Sequence, residues 1–449
     1  MNNLISKYLF FYPATLLKGE RVASYLREAR EFQFKSSEEI ERHQLRQLNK
    51  LLKHAYETTA YYNSTLGIKS SGPLNSLAEL KAIPLLDKKQ LIENFTDICS
   101  SKKFRLVTTK TTGGSTGQAV TLRKNSYALA KERAVTARGY EWAGVKIGAP
   151  QARLWGIPLE VENRLYYKVV DLIANRKRIS AFNLTSAAMK NYLETLQTFQ
   201  PHYLYGYASA IEEFVRFLYN EGCELPKSIK SIISTSEVLT PTLRENIRQF
   251  SGLQVFNEYG CGEVGSIAHE CAYGSLHLMA DNLIVEVLDE VGQPANEGEL
   301  VVTDLYNYAT PLIRYRLKDF GTLDNKSCEC GATLPVLKEI HGRAYDMILT
   351  RSGRKYHPEI LMYVFESFKK QNLGIDQFQV VQNDFELFTI SIVAGAGYSR
   401  AAETTILAKV QEVLEMPVTM EFLYVQNIER EPSGKIRLIK SEIASRANL

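Results

Sequence analysis

Between residues 187 and 256 the apolar period switches repeatedly from that of a helix to that of a buried strand, and this constrains the fold more than any other feature. Ala187 to Phe199 and Ser209 to Asn220 carry helical spacing, while Tyr203 to Tyr205 is a short apolar run and Ser231 to Ser234 and Gln254 to Phe256 read as buried strands. Strands that alternate with helices are joined by crossovers, and crossovers build a largely parallel sheet covered by helices. Upstream, Ser36 and Glu39 form a capping-box pattern, and Ile40, Leu45, Leu48, Leu51, Leu52 and Ala55 follow at helical spacing. After Gly292 the pattern changes, because the apolar stretches Leu283 to Leu288 and Glu299 to Thr303 are joined by a Gly- and Pro-containing segment suited to a hairpin or a small barrel.

Beyond Gly342 the sequence reads as strand Asp346 to Thr350, helix Pro358 to Phe368, strands Phe378 to Gln382 and Glu386 to Ala394, helix Arg400 to Leu414 and strand Val418 to Val425. That is an α+β unit of ordinary small-domain size. The expected architecture is a large N-terminal α/β domain, residues 1–342, with a parallel sheet and a small antiparallel β subdomain, followed by a small C-terminal α+β domain, residues 343–449. A chain of 449 residues can bury the core this needs. No internal repeat or low-complexity tract interrupts it.

Charge excludes one class of partner. Fifty-four Lys and Arg against 50 Asp and Glu leave +4, and without a clustered basic run this is no footprint for nucleic acid. The apolar opening from Tyr8 to Leu17 is broken by Pro13 and falls well short of the roughly 20 residues of a spanning helix. It also lacks a small-residue cleavage site, so the reading is a cytoplasmic protein with no transmembrane segment. Two roles fit that opening: an arm packed on its own domain, or a peripheral contact with the inner leaflet. Six cysteines are too few for a disulfide scaffold and would stay reduced.

Five short segments carry candidate chemistry. TTKTTGGSTG, residues 108–117, interleaves hydroxyls with glycines, so backbone N–H groups can converge on a phosphate while Ser and Thr add donors. It is not a Walker A loop, since Gln118 stands where a Lys would follow the last glycine. NEYGCGEVG, residues 257–265, sets Tyr259 after an expected strand, where it could stack on a purine, and Glu263 four residues on, where it could hold Mg²⁺. YRLKDFG, residues 315–321, offers Asp319 to a ribose diol. Gly342 and Arg343 sit at the expected domain junction, and PSGKIR, residues 432–437, places Lys435 on a turn that could swing into a distant site. Taken singly, each also reads as a linker, a core tyrosine or a solvated charge.

In this order and spacing, the five segments resemble the motifs of the adenylate-forming superfamily of acyl-CoA synthetases, within it the phenylacetate-CoA ligase and CapK-like branch. The resemblance spans nearly the whole chain. It implies that Thr112, Gly113, Gly114, Ser115, Thr116 and Gly117 hold the ATP phosphates and that Tyr259 and Gly260 hold the adenine. Glu237 joins the cofactor-binding set, Glu263 binds magnesium, Asp319 the ribose, and Arg343 approaches the ribose or phosphates. Lys435 would bridge the acid's carboxylate and the α-phosphate. The small domain is then expected to be mobile, rotating about GRAYD, residues 342–346, so that an acceptor such as CoA can attack the adenylate. Two positions depart from the pattern: Gly262 stands where a Thr is usual, and Tyr345 where many members have an acidic residue.

Two further groups complete the reading. His269 with Cys271 and Cys328 with Cys330 are pairs of N/S ligands, each spaced by one residue, that could close a tetrahedral structural Zn²⁺ site; free thiols and a lone histidine are the other reading. Residues 155–158 (WGIP), 203–209 (YLYGYAS) and 234–237 (STSE) are expected to line the pocket for the acid, with aromatic walls. The expected activity is ATP-dependent activation of a small carboxylic acid followed by transfer to CoA or another thiol. Alternatives are transfer to an amine or sugar hydroxyl in polysaccharide assembly, nucleotidyl transfer to a cofactor as in coenzyme F390 synthetase, or a nucleotide-binding protein without turnover. A homodimer is compatible with any of these.

Overall fold

The structure, a computed structural model, describes residues 1–66, 73–112, 120–156, 164–181, 183–237, 239, 241–324, 326–340, 348–356, 358–371, 373–395, 397–428 and 438–443. A hairpin of β1 (Val107–Thr112) and β2 (Val120–Asn125) precedes an eleven-stranded sheet. Five strands are parallel: β3 (Gln151–Trp155), β4 (Arg176–Ser180), β5 (Tyr203–Gly206), β6 (Ser231–Thr235) and β7 (Val255–Cys261), in the order β7-β6-β5-β3-β4. Helices Arg164–Ile173, Ser186–Phe199, Ala208–Asn220 and Pro241–Ser251 connect them in turn. The helices cover both faces of β5 and β6, every residue of which is buried. Ala152, Leu154, Leu204, Ile232 and Val255 are buried on one face, while Tyr203, Tyr205, Ile233 and Phe256 are buried in a second cluster with Tyr140 of helix Ser126–Trp142.

From β7 onward the direction alternates. The strands β8 (Gly265–Glu270), β9 (Leu276–Leu278), β10 (Leu283–Leu288), β11 (Glu297–Asp304), β12 (Tyr315–Asp324) and β13 (Val336–Ile340) extend the same sheet in the order β10-β11-β12-β13-β9-β8-β7, all antiparallel. The expected hairpin of residues 283–303 is present, with Leu283 opposite Asp304. The antiparallel part, expected as its own subdomain, is hydrogen-bonded into the main sheet through the two-residue ladder Val336–His277 and Leu337–Leu276.

Helix Ser37–Thr58 starts as the sequence indicates, with Ser36 Oγ accepting from the Glu39 N–H and Glu39 accepting from the Ser36 N–H at 3.0 Å. It buries Ile40, Leu48, Leu51, Leu52 and Ala55. Arg138, fully buried, donates to both oxygens of Asp281 at 2.9 and 3.1 Å and to the Ala29 carbonyl, pinning helix Val22–Phe32 and helix Ser126–Trp142 to the sheet.

After residue 347 come a short hairpin, β14 (Ile348–Leu349) and β15 (Lys355–Tyr356), and a second sheet of β16 (Ile375–Asp384), β17 (Leu387–Ala394), β18 (Thr419–Tyr424) and β19 (Ile439–Ser441), ordered β18-β17-β16-β19. Helices Glu359–Lys370 and Ala401–Leu414 complete the α+β unit, and Phe365 stacks on Phe378 at 4.4 Å in its core. The expected boundary at 342/343 lies outside the described residues.

Candidate nucleotide and metal sites

The carboxyl ends of parallel strands are where open α/β sheets bind ligands, most of all where the strand order reverses. Here the chain leaves β3 for β4 and returns to β5 on the other side of β3. At that switch Trp155 stacks on Tyr207 (4.6 Å between ring centroids) and Tyr205 (5.8 Å), and the Arg153 guanidinium lies over Trp155 and Tyr205 at 4.3 and 4.8 Å. Gly206 permits this approach, because a Cβ there would stand 2.3 Å from the Leu154 carbonyl oxygen. The aromatic wall read from the sequence is therefore assembled from two adjacent strands. Arg153, Tyr140 and Glu258 were not singled out: Tyr140 donates to Glu258 at 3.2 Å, and Ser266 donates to the same carboxylate at 3.0 Å. A lone Arg inside a strand run carries no spacing signal that would have found it.

The segment expected to bind phosphate, residues 112–117, begins at the end of β1. Thr112 closes β1 opposite Val120, and Gly113, Gly114, Ser115, Thr116 and Gly117 lie outside the described residues, as does the side chain of Thr112. The base of the hairpin is described in full. Glu132 is bracketed by Lys110 Nζ at 3.1 Å and Lys124 Nζ at 2.7 Å, and Lys124 also faces Asp304 at 3.7 Å. Burial alone would raise the Glu132 carboxyl; the two ammonium groups overcome it and bring its pKa to about 2. Burial likewise opposes the Lys124 charge, yet Glu132 and Asp304 leave its pKa raised. Asp304 goes the other way, its pKa raised because burial outweighs Lys124. Gly265, at φ +87°, sits against Glu132, and a Cβ there would stand 2.4 Å from the Glu132 carboxyl carbon. The last glycine of the second motif thus packs on the foundation of the first.

Tyr259 and Asp319, 60 residues apart, come together: the Tyr259 hydroxyl donates to Asp319 Oδ2 at 2.9 Å. A bulge in β12 arranges this. Arg316 pairs with Val301 and Phe320 with Glu299, so three residues of β12 stand opposite one of β11, and Lys318 takes φ +63°. Bulges of this kind re-aim side chains beside functional sites. Gly260 is also required, since a Cβ there would stand 2.5 Å from the Gly265 carbonyl oxygen. Glu263 lies half-buried in the β7–β8 turn, where burial first and the Glu263 charge second push the Cys261 thiol far above its ordinary range. Glu237 follows Ser236, which is held at φ +69°, and accepts from the Ser209 N–H at 2.7 Å and hydroxyl at 2.8 Å at the start of helix Ala208–Asn220. Arg343 and Lys435 lie outside the described residues.

One assignment needs correction. The group whose donor atoms lie within 4.8 Å of one another is Cys271, His277, Cys328 and Cys330, so His277 takes the place expected for His269. Strand β8 ends at Glu270, and the turn closed by Cys271 N–H to Ser275 O carries Cys271 away from His269. His269 is buried instead against the Tyr140 ring at 5.5 Å, 3.6 Å from Glu258. His277, opposite Val336 in β13, directs Nε2 at Cys330 Sγ (3.2 Å), while its Nδ1 meets the Leu334 carbonyl at 3.2 Å. That carbonyl fixes the tautomer a metal needs. Cys271 and Cys328 Sγ are 3.5 Å apart. One imidazole and three thiols, converging with a carbonyl behind the imidazole, fit a tetrahedral zinc ion. Five residues, Ala272 to Leu276, separate Cys271 from His277, and that spacing hid the histidine that joins the cluster.

Comparison with known proteins agrees with this architecture. A family model for the CapK C-terminal domain matches residues 349–442. CapK of Staphylococcus aureus is 26% identical over 388 residues, 83% of this chain and 82% of its own length. Phenylacetate-coenzyme A ligase of Thermus thermophilus is 24% identical over 329 residues, 70% and 72% of the two chains. Among solved structures, 2-hydroxyisobutyryl-CoA ligase in complex with 2-HIB-AMP and CoA superposes with a TM-score of 0.61 at 18% identity, covering 92% of each chain. The fold is that of the adenylate-forming ligases. In sequence the chain is similar to CapK and to the phenylacetate-CoA ligases, and its C-terminal part to the CapK C-terminal domain.

Proposed function

We propose that the protein is an AMP-forming ligase that activates a carboxylic acid as its acyl-adenylate and passes the acyl group to CoA or another thiol. The observation that carries this reading is the Tyr259–Asp319 hydrogen bond, which joins the adenine and ribose motifs beside the turn bearing Glu263. Tyr259, Gly260 and Glu237 would hold the nucleoside together with Asp319. Residues 112–117 would wrap the β and γ phosphates, and Glu263 would hold the magnesium that shields their charge. Lys435 would stabilise the charge that builds as the carboxylate attacks the α-phosphate, with Arg343 beside it. Both stand on a domain of residues 343–449 that turns about 342–346 relative to residues 1–342. A zinc ion on Cys271, His277, Cys328 and Cys330 would be structural, since four protein ligands leave no position for water. Their turn also lies about 20 Å along β8 from the Glu263 turn. Reduced thiols of this kind suit the cytoplasm.

The test is exchange of labelled pyrophosphate into ATP with magnesium and a broad panel of acids; exchange with none of them refutes the reading. A second reading concerns only the acceptor. The match to the CapK C-terminal domain and Tyr345 in the hinge favour an amine or sugar hydroxyl. AMP release stimulated by CoA supports the thiol, and release stimulated only by amines or sugars supports the second reading.

A further inference from the structure

The N-terminal helix is built inside out. It runs as Asn3–Ile5, a π-helical turn Ser6–Phe11, and Tyr12–Leu17; Pro13 has no N–H for the turn before it, and the Tyr12 N–H bonds to Lys7 O instead. A surface helix of a water-soluble protein turns its apolar stripe inward. This one buries two hydroxyls, Ser6 at 1% exposure and Thr15 at 6%, and presents Leu4 (64%), Leu9 (68%), Leu16 (59%) and Leu17 (85%) to solvent, with Ile5 and Tyr8 beside them. Helix Arg164–Ile173 packs next to it and adds exposed Val169 and Leu172. Contiguous apolar surface of this kind marks an interaction site.

The charges around it select the partner. No acidic residue occurs before Glu20, which is buried and paired with Arg133, whereas Lys7, Lys18 and Arg21 lie on or next to the helix. Lys146, Lys168 and Lys177 are exposed nearby, and Asp171, the acidic residue of the neighbouring helix, is already engaged by Arg176 and Arg178 at 2.6 and 3.0 Å. Between the helix and the sheet lies a cleft of about 620 Å³ lined by Asn3, Leu4, Lys7, Lys146, Gln200 and His202. It opens beside the apolar face, with two lysines, Lys7 and Lys146, among its lining residues. Leu and aromatic side chains flanked by Lys and Arg are the composition of helices that lie in the headgroup region of a bilayer.

We infer that this face seats the protein on an anionic lipid surface, the leucines entering the acyl boundary and the lysines meeting the headgroups. The inference is independent of the acid and acceptor. It is tested on the full chain by co-sedimentation with vesicles of phosphatidylcholine alone and of phosphatidylcholine mixed with phosphatidylglycerol. The expected result is binding at least about tenfold tighter to the anionic vesicles, weakened by salt. Leu9→Glu with Leu16→Glu should abolish it, and Lys18→Glu with Lys168→Glu should remove the preference for anionic lipid. Thermal unfolding should stay unchanged in both, because all four side chains are solvent-facing. Absence of binding to either vesicle, equal binding by the leucine variant, or a dimer in light scattering that the leucine variant dissociates without vesicle binding would each overturn the inference.

Discussion

Replacing Lys124 with Met tests whether the foundation of the β1–β2 hairpin is electrostatic. Lys124 is 1% exposed and faces two carboxylates, Glu132 and Asp304, while the other cation, Lys110, reaches only Glu132. The fall of the Glu132 carboxyl from an ordinary 4.5 to about 2 corresponds, at ~1.36 kcal/mol per pKa unit, to about 3 kcal/mol of favourable interaction in the folded protein. Removing one partner of a buried pair commonly costs about 3 to 5 kcal/mol, so the two routes agree in size. The folded pKa lies below the unfolded one, so this stability is present above pH ~4.5 and is lost as pH falls toward 2. Asp304, raised by burial, has the opposite sign and offsets part of that slope. Urea or thermal unfolding should show Lys124→Met destabilised by about 3 kcal/mol at pH 7, with the gap narrowing near pH 3. In a double-mutant cycle with Glu132→Gln the coupling should exceed about 1 kcal/mol. A loss below 1 kcal/mol at pH 7, or additive effects, would show that packing and not charge holds the hairpin.

Lys435→Ala should lower pyrophosphate exchange by about 10²- to 10³-fold, the usual effect of deleting a donor to transition-state charge, while ATP binding by calorimetry stays near the parent value; equal loss of both would disprove the role. Tyr259→Phe removes one hydrogen bond to Asp319 and should weaken ATP binding by about five- to tenfold, whereas Asp319→Ala should weaken it further; an unchanged affinity in both would separate this pair from the nucleotide. His277→Ala should abolish zinc in metal analysis of the purified protein, and His269→Ala should retain it, the reverse of what the His269-Glu270-Cys271 spacing suggests.

Periodicity made β5, β6 and β7 legible because helices cover both faces of the sheet and each is a short buried run such as residues 231–235, whereas β3 and β4 carry Gln151, Arg153, Arg176, Lys177 and Arg178 and went unread. Strand β19 went unread because three residues, Ile439–Ser441, are too few to carry a period and are held by pairing with Val380, Val381 and Gln382. Motif order sets Tyr259 and Asp319 in one expected nucleotide site, and the structure brings the two side chains into contact. What the sequence could not show is the bulge at Lys318 that brings their side chains within 2.9 Å. The metal ligands failed for a related reason. Spacing by one residue places two side chains on the same face only while the strand continues, and β8 ends between His269 and Cys271. The ligand that replaces His269 comes from the next strand, a contact set by hairpin register and not by local order.

That register ties the Cys271–His277–Cys328–Cys330 cluster to the proposed nucleotide site. The part of the sheet bearing Tyr259 ends at β9, the part bearing Asp319 begins at β13, and among the described residues the ladder between them is two residue pairs long, Val336–His277 and Leu337–Leu276. Other contacts span the same joint, among them the Leu278 N–H donating to the Pro335 carbonyl at 2.8 Å and two that involve the candidate sites. One is the Tyr259–Asp319 hydrogen bond; the other is the ligand cluster, with Cys271 and His277 from the first part and Cys328 and Cys330 from the second. A metal there would hold the joint in the register that lets the two motif side chains meet, without touching the nucleotide. The coupling must then be reciprocal. Stripping the metal with a chelator should weaken ATP binding by about five- to tenfold, and saturating ATP should slow metal loss measured with a chromogenic chelator. If the metal-free protein keeps its fold and binds ATP with the parent affinity, the two-residue ladder is sufficient by itself and the metal serves only the loop that holds it.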